Sequence, residues 1–142
     1  MNSAVMFSSA SDSWATPRAV YDALNAEFGF TLDPCPLDES DLAGASLWGR
    51  DGTQKAWAGE RVFCNPPYSD IRPWLSKARE AALAVFLVPA RTDTRWWHDL
   101  AMKADEIRFL RGRLKFGDAK NSAPFPSVLL IFRDAADHGD GK

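Results

Sequence analysis

The chain of 142 residues contains few of the side chains that bind metals or form disulfides, since it has two cysteines and two histidines. Cys35, Cys64, His98 and His138 do not stand at a spacing typical of zinc ligands, which argues against a structural zinc site. The cysteine count, together with the lack of a leading basic-then-apolar segment, also argues against a secreted disulfide scaffold. We therefore expect a reduced, intracellular protein.

Long apolar runs and a strong net charge are also lacking. No stretch approaches the roughly 18–20 apolar residues that a membrane-spanning helix needs, so we expect no membrane partner. The net charge is −2, but residues 1–60 carry three basic and nine acidic groups, whereas residues 61–120 carry twelve basic and seven acidic groups. This asymmetry is consistent either with ordinary surface variation or with a basic face that binds nucleic acid.

Apolar residues, in contrast, are abundant. They make up 46% of the chain and include six Trp and nine Phe, enough for the core of one ordered domain. Residues 1–13 are rich in serine, and residues 134–142 offer no large apolar side chain. We therefore predict a single domain over residues 14–133 with mobile tails at both ends.

An amphipathic helix is predicted between Thr16 and Gly29. Val20, Leu24 and Phe28 form an i, i+4, i+8 apolar stripe, with Thr16 as the expected N-cap and Gly29 at the C-terminal end. Residues 30–32 then form a predicted short strand that runs into Asp33 and a proline. A carboxylate there suits a ligand crevice of an α/β sheet, although Asp-Pro is also an ordinary turn.

A βαβ unit is predicted after a long loop at residues 37–59. It consists of a strand at 61–64, a helix at 71–83 and a continuous apolar strand at 84–89, a run typical of a strand buried on both faces. The further predicted elements are a helix at 95–104, a strand at 106–110, a turn at 111–113 and a last buried strand at 127–132.

The first strand of that unit stops in Asn65-Pro66-Pro67-Tyr68. Asn65 offers a carbonyl acceptor, and the two prolines stiffen the loop, remove two N–H donors and leave carbonyl oxygens without competing donors. Two fixed acceptors suit an NH₂ group, and Tyr68 suits a flat conjugated ring. The pattern therefore predicts alkylation of a planar amide or nucleobase amine, with a simple turn between strand and helix as the alternative.

With this loop in place, the chain resembles the phage-type DNA N6-adenine methyltransferases, the phage Dam family, over about residues 14–132. The segments that carry the resemblance are Trp14-Ala15-Thr16-Pro17, Leu32-Asp33-Pro34-Cys35, Cys64-Asn65-Pro66-Pro67-Tyr68, Pro89-Ala90-Arg91-Thr92-Asp93-Thr94 and Arg111-Gly112-Arg113-Leu114-Lys115-Phe116 with Ala123-Pro124-Phe125-Pro126-Ser127. The resemblance implies a compact Rossmann-like, S-adenosylmethionine-dependent methyltransferase fold of the α/β class. Its sheet would be mainly parallel with an antiparallel C-terminal strand.

The resemblance also implies roles for residues. Asn65 and the carbonyl of Pro66 would hold the N6 amine of an adenine extruded from double-stranded DNA, with Pro67 stiffening the loop and Tyr68 stacking on the base. The residues expected to bind S-adenosylmethionine are Trp14, Thr16, Pro17, Asp33, Pro34, Cys35 and Asp51. The residues expected to contact DNA phosphates, or else to be solvated surface charges, are Arg91, Arg111, Arg113 and Lys115.

Two departures bear on this interpretation. Asp33-Pro34-Cys35-Pro36 stands where a glycine-rich turn is common, but S-adenosylmethionine carries no phosphate and does not require a phosphate cradle. The chain is also too short for a separate target-recognition domain, so specificity would come from loops such as residues 119–126 or be low. A phage or prophage enzyme acting in the bacterial cytoplasm is expected. The alternatives are methylation of a protein glutamine amide or an RNA base, and a non-catalytic nucleic-acid-binding relic.

Overall fold

The computed structural model describes residues 15–36, 51–115 and 123–134. Within these residues, helix α1 spans Arg18–Phe28, and the strands are β1 (Arg61–Cys64), β2 (Leu83–Pro89), β3 (Glu106–Phe109) and β4 (Ser127–Arg133). Two short helices, α2 (Arg72–Leu75) and α3 (Arg95–Asp99), and 3-10 turns at Gly52–Gln54, Ala78–Glu80 and Ala101–Lys103 complete the described elements. No helix in these ranges is long and apolar enough to cross a membrane.

The four strands form one mixed sheet in the order β1-β2-β4-β3. β1 and β2 are parallel, as expected for a βαβ unit, while β4 pairs antiparallel with both β2 and β3. The antiparallel C-terminal strand is therefore confirmed, whereas the mainly parallel sheet is not. β4 lies between two strands that run the opposite way, so two of the three ladders are antiparallel.

The predicted strand at residues 30–32 is reduced to one parallel bridge between Leu32 and Val62. Leu32 receives a hydrogen bond from the N–H of Phe63 at 3.0 Å and donates to Arg61 at 3.2 Å. The segment therefore extends the sheet beside β1 and places Asp33 next to the end of β1.

Helix α1 confirms one predicted cap and corrects the other. Gly29 ends the helix with φ of 64°, and its N–H donates to the carbonyl of Asn25. Pro17, however, occupies the N-cap position, and no side chain caps the first turn, so the predicted N-cap role of Thr16 is wrong. The hydroxyl of Thr16 accepts a hydrogen bond from Asn65 instead.

The predicted helix at residues 71–83 is interrupted. Its apolar face is buried as expected, but α2 ends at Leu75, where Ser76 Oγ donates back to the carbonyl of Arg72 at 2.8 Å. Ala81 bridges Ala58, and the N–H of Ala82 donates to Glu60, so extended pairing ends the helical segment. The predicted helix at 95–104 likewise divides into α3 and a 3-10 turn.

The sheet is covered on both faces, and alternating side chains of β2 separate the two cores. Ala84, Phe86 and Val88 belong to the cluster that includes α2 and α3, whereas Val85 and Leu87 belong to the cluster that includes α1. Both clusters meet at the central strands. This burial of β2 on both faces is what its continuous apolar sequence predicts.

Candidate active site

The carboxyl ends of β1, β2 and β3 and the start of β4 all lie at one edge of the sheet, because β4 alone runs the opposite way. We call this the carboxyl edge. Among the described residues, the buried polar side chains are Asp33, Asn65 and Ser127, which are 3%, 4% and 1% exposed. All three follow or begin a strand at this edge. Since burying polar groups is costly, their concentration here marks the edge as the candidate site.

Asn65 directly follows β1 and is held by the segment before α1. Its Nδ2 donates a hydrogen bond of 3.1 Å to Oγ1 of Thr16. The bond joins two residues that are 49 positions apart, and both belong to predicted site segments. It also directs the amide nitrogen of Asn65 toward Thr16, so that its carbonyl oxygen points elsewhere.

Pro66 and Pro67 continue from Asn65 in a loop without regular secondary structure, with Pro66 buried and Pro67 partly exposed. The carbonyl of Pro67 accepts a hydrogen bond of 3.1 Å from the N–H of Asp70, which closes a turn before α2. Since neither proline has an N–H, this loop presents acceptors without donors over two residues. The use of these carbonyl oxygens as acceptors for a substrate amine stays a prediction.

Tyr68 is half-buried and fixed at two points. Its hydroxyl donates to the carbonyl of Leu87 on β2 at 3.3 Å, and its ring meets Phe125 edge-on with centroids 5.5 Å apart. Burial raises the pKa of the Tyr68 phenol well above its usual range, with a further contribution from Cys64. The phenol therefore stays protonated, and the side chain is suited to packing and hydrogen bonding rather than to proton transfer.

Asp33 shapes the turn at the end of the Leu32 bridge. Its Oδ1 accepts from the N–H of Cys35 at 3.0 Å. Burial, followed by the charges of Asp33 and Asp51, raises the pKa of the Cys35 thiol to about 12, and burial raises that of Cys64 as well. Neither thiol is therefore an activated nucleophile.

Asp51 begins the 3-10 turn at Gly52–Gln54, where its carboxylate accepts from the N–H and the hydroxyl of Thr53. These bonds lower the pKa of Asp51, which is exposed. Gly52 packs against the backbone of Pro34 so closely that an added Cβ would come within 1.8 Å of the Pro34 carbonyl oxygen. The Asp51 loop therefore lies beside the turn at residues 33–35, as one cofactor-binding group would require.

The predicted DNA-contacting cations, Arg91, Arg111, Arg113 and Lys115, are exposed and follow β2 or β3 at the carboxyl edge. None of the four forms an ion pair with any residue that the structure describes. Several other basic residues do form ion pairs: the pairs are Arg72–Asp99, Lys77–Glu80, Arg79–Asp105, Arg108–Glu27 and Arg133–Glu106. Among the described residues, these four cations at the carboxyl edge thus have no carboxylate as an ion-pair partner.

Three residues acquire a place in the site that their sequence context did not reveal. Phe125 contacts Tyr68 and also lies under the guanidinium of Arg91, 5.6 Å from its ring centroid. Ser127 pairs with the last residue of β2 in the sheet, and Gly52 supports the turn at residues 33–35. The flanking prolines of Phe125 were the available signal, whereas a glycine in a long loop offered none.

Some predicted features fall elsewhere. The predicted features outside the described residues are Trp14, most of the loop at residues 37–59, residues 119–122 and the tails other than Asp134. Within the described ranges, no group of three or more His, Cys, Asp or Glu side chains could hold a metal ion. The remaining predicted site residues are divided between the acidic turns beside β1 and the basic segments after β2 and β3.

Comparison with known proteins gives the family of the chain. The chain matches the family model described as DNA N-6-adenine-methyltransferase (Dam) over residues 4–139. It is similar to the DNA N-6-adenine-methyltransferase of Haemophilus phage HP1 (strain HP1c1), with 26% identity over 145 residues that cover 92% of this chain and 84% of the relative. No solved structure matches the chain.

Proposed function

Because this chain belongs to the DNA N-6-adenine-methyltransferase (Dam) family, we propose that its carboxyl edge transfers a methyl group from S-adenosylmethionine to N6 of an adenine extruded from double-stranded DNA. Methylation of adenine N6 in DNA is the activity of the family, and it disfavours the protein-amide, RNA and relic alternatives. What we propose beyond the family's activity is the methyl donor, the duplex substrate and the roles of individual residues.

The orientation of Asn65 is the observation that carries it. With Nδ2 directed to Thr16, the amide of Asn65 turns its carbonyl oxygen to the other side, where we propose that it accepts from the amine that is to be methylated. The Pro66 carbonyl supplies a second acceptor from the same stiff loop. Two acceptors that bind the N–H groups hold the nitrogen lone pair toward the methyl donor, which lowers the barrier by positioning and by stabilising the positive charge that develops on nitrogen.

Tyr68 would support the extruded base. The hydrogen bond to Leu87 and the edge contact with Phe125 hold the ring in place before the substrate arrives, so little conformational entropy is lost on binding. Stacking of a nucleobase on an aromatic side chain contributes about 1–3 kcal/mol. The raised pKa keeps the phenol neutral, so the ring does not place an anion beside the base.

The acidic side of the carboxyl edge suits S-adenosylmethionine, which supplies an electrophilic methyl group on a cationic sulfur. Asp33 and Asp51 are close enough for both to raise the pKa of Cys35, so two carboxylates lie near one turn. Such a site attracts the ammonium and sulfonium charges of the cofactor. Thr16 bonds to Asn65, and Pro17 follows Thr16 in the chain. Pro34 and Cys35 form the turn itself, and we propose that Trp14 also belongs to the residues that bind the cofactor.

We extend the proposal to the fold and the domain. A parallel β1–β2 pair with an antiparallel last strand inserted beside it is compatible with a Rossmann-like methyltransferase sheet. A single catalytic domain over residues 14–133 would then hold both substrates at one edge. We also retain a phage or prophage origin, in line with the similarity to the phage enzyme, and a place of action in the bacterial cytoplasm.

Transfer of a labelled methyl group to unmethylated duplex DNA tests the proposal, with digestion of the product to identify the modified base. We expect N6-methyladenine with the wild type and at least a 100-fold lower rate with Asn65→Ala, because positioned acceptors act directly on the reacting amine. Met102→Ala, at an exposed position outside the site, is the matched control. Label in cytosine or protein, or an undiminished rate with Asn65→Ala, would contradict the proposal.

Cofactor binding is tested separately by calorimetric titration of the wild type with S-adenosylmethionine. We expect saturable binding, weakened by Asp33→Asn because a carboxylate that faces a cationic ligand is neutralised. No binding at millimolar cofactor would leave the non-catalytic relic as the remaining explanation.

A further inference from the structure

Phe109 is the most exposed large apolar side chain among the described residues, at 70%, followed by Met102 at 56%. A single exposed phenylalanine is ordinary on a protein surface. The location of Phe109, however, is unusual. Phe109 is the last residue of β3, and β3 ends at the same carboxyl edge as the catalytic loop.

Phe109 is exposed because its strand is the last one in the described sheet. Its side chain lies on the same face of the sheet as buried residues. Phe109 is paired with Val128, and residues directly opposite each other in an antiparallel ladder share a face. Val128 is fully buried in the core that includes α2 and α3. Phe109, one strand further out, lies beyond this cover, because β3 pairs with β4 alone among the described strands.

The charge around Phe109 matches a nucleic acid. Arg111, Arg113 and Lys115 follow it within six residues and are exposed without an ion pair to any described residue. Gly112 turns the chain between the two arginines with φ of 71°. Cations that hold the DNA backbone on this segment would bring the adjacent phenyl ring against the base stack.

The distance between the strand that holds Tyr68 and the strand that carries Phe109 is also compatible with one bound duplex. β2, whose Leu87 carbonyl holds Tyr68, is two strand positions from β3, or about 10 Å. This is comparable with the width of the DNA major groove, about 12 Å. A base held at Tyr68 and a ring inserted at the position it vacated are therefore compatible with one bound duplex.

We propose that Phe109 is the side chain that enters the base stack and takes the space left by the extruded adenine. The inference depends on the proposed function, because it presupposes an adenine that leaves the duplex. Apolar side chains that insert between base steps offset the loss of stacking, and a base that is already unpaired needs less help to leave. Phe109 would thus matter for a paired target and little for an unpaired one.

The test uses a synthetic duplex that carries the methylated site, mapped first with the wild-type enzyme. We expect Phe109→Ala to lower kcat/KM by about tenfold or more on the fully paired duplex. On the same duplex with an abasic position opposite the target adenine, the variant should be within about threefold of the wild type. Phe109→Trp should retain activity on both duplexes, and Met102→Ala should match the wild type on both.

A direct readout of extrusion accompanies the kinetics. With 2-aminopurine in place of the target adenine, wild-type binding should raise the fluorescence, and Phe109→Ala should reduce that rise at saturating protein. Equal losses on the paired and abasic duplexes, or no loss on either, would overturn the role of Phe109. A wild type that leaves adenine N6 unmodified would instead overturn the proposed function, so the two failures are distinguishable.

Discussion

At the scale of single residues, the contact between Thr16 and Asn65 changes the interpretation of a common helix signal. A threonine before a proline is well placed to cap a helix, yet here the cap position belongs to Pro17, and the threonine hydroxyl accepts from the catalytic-loop amide. The sequence motif and the helix are both present. What differs is the hydrogen bond that the hydroxyl makes, and this assigns Thr16 a positioning role.

Thr16→Ala should therefore lower kcat without unfolding the protein. Loss of one buried hydrogen bond costs about 1 kcal/mol, which corresponds to roughly a five- to tenfold lower kcat if it acts on the orientation of Asn65. Thr16→Ser keeps the hydroxyl and should retain most activity. Steady-state kinetics, with Tm and the Kd of S-adenosylmethionine measured in parallel, separate this effect from lost cofactor contacts. Equal impairment of both variants would argue against the positioning role.

The buried thiols predict a loss of stability in mild alkali. Burial raises the pKa of Cys35 to about 12 and also raises that of Cys64, whereas a thiol in an unfolded chain titrates near ~8.5. Above that pH the unfolded chain releases protons that the folded protein keeps. Stability that is fully present below pH ~8.5 is therefore lost as the pH rises toward the folded pKa.

Urea unfolding between pH 7.5 and 9.5 measures this loss. Once the unfolded thiol titrates, each buried thiol should lower the free energy of unfolding by about 1.4 kcal/mol per pH unit. Cys35→Ala should remove roughly half of the slope. A slope that is the same in the variant and the wild type would show that the Cys35 thiol is not the group responsible.

At the scale of elements, the site depends on loops that support one another. The 3-10 turn at Gly52–Gln54 lies against Pro34, and the indole of Trp57, which is fully buried, donates to the Gly52 carbonyl at 3.1 Å. This second loop anchors the turn that holds Asp33. The part of the edge for which we propose cofactor binding is thus built from two segments that meet through backbone contact.

Gly52→Ala should displace that turn. Its Cβ would lie 1.8 Å from the Pro34 carbonyl oxygen, a distance that backbone atoms cannot tolerate, so overpacking should cost about 1–3 kcal/mol of stability. The Kd for S-adenosylmethionine, measured by calorimetry, should rise at least tenfold. Gly59→Ala is the matched control, because Gly59 has φ of 76° and no atom within 4 Å of an added Cβ. That variant should lose about 1–2 kcal/mol but bind the cofactor normally.

At the scale of the whole molecule, acidic and basic side chains lie at different parts of the carboxyl edge. The turns that precede β1 carry Asp33 and Asp51, while the segments after β2 and β3 carry cations that form no ion pair with a described carboxylate. The small net charge of the chain hides this division. An edge that is acidic at one end and basic at the other suits a cationic cofactor beside a polyanion.

DNA affinity should therefore fall steeply with salt. Each neutralised phosphate contributes about −0.9 to the slope of log K against log salt concentration, so Arg113→Ala should make the slope shallower by about one unit. Fluorescence anisotropy with a labelled duplex at several salt concentrations measures it. Arg72→Ala is the control, because Arg72 is paired with Asp99 and should leave the slope unchanged. An equal change in both variants would contradict a localised basic face.

Patterns local in sequence predicted the strands well. β1 has the predicted bounds, β2 and β4 each exceed theirs by one residue, and Gly29 ends α1 as expected. These features depend on the apolar pattern and on backbone stereochemistry within a few residues. The predicted helix at 71–83 is cut short because Ala81 and Ala82 pair with Ala58 and Glu60, which the local pattern cannot reveal. The predicted helix at 95–104 divides into α3 and a 3-10 turn.

The chemistry proposed for the Asn65-Pro66-Pro67-Tyr68 loop rests on residue types alone, because an acceptor, two prolines and an aromatic ring act through their own covalent structure. Residue types alone could not predict the order of the strands, the bond from Asn65 to Thr16 across 49 positions or the contact of Phe125 with Tyr68. Such contacts form only when the two cores pack and bring distant segments to one edge. Their geometry follows from the free energy of the whole fold rather than from any short stretch of it.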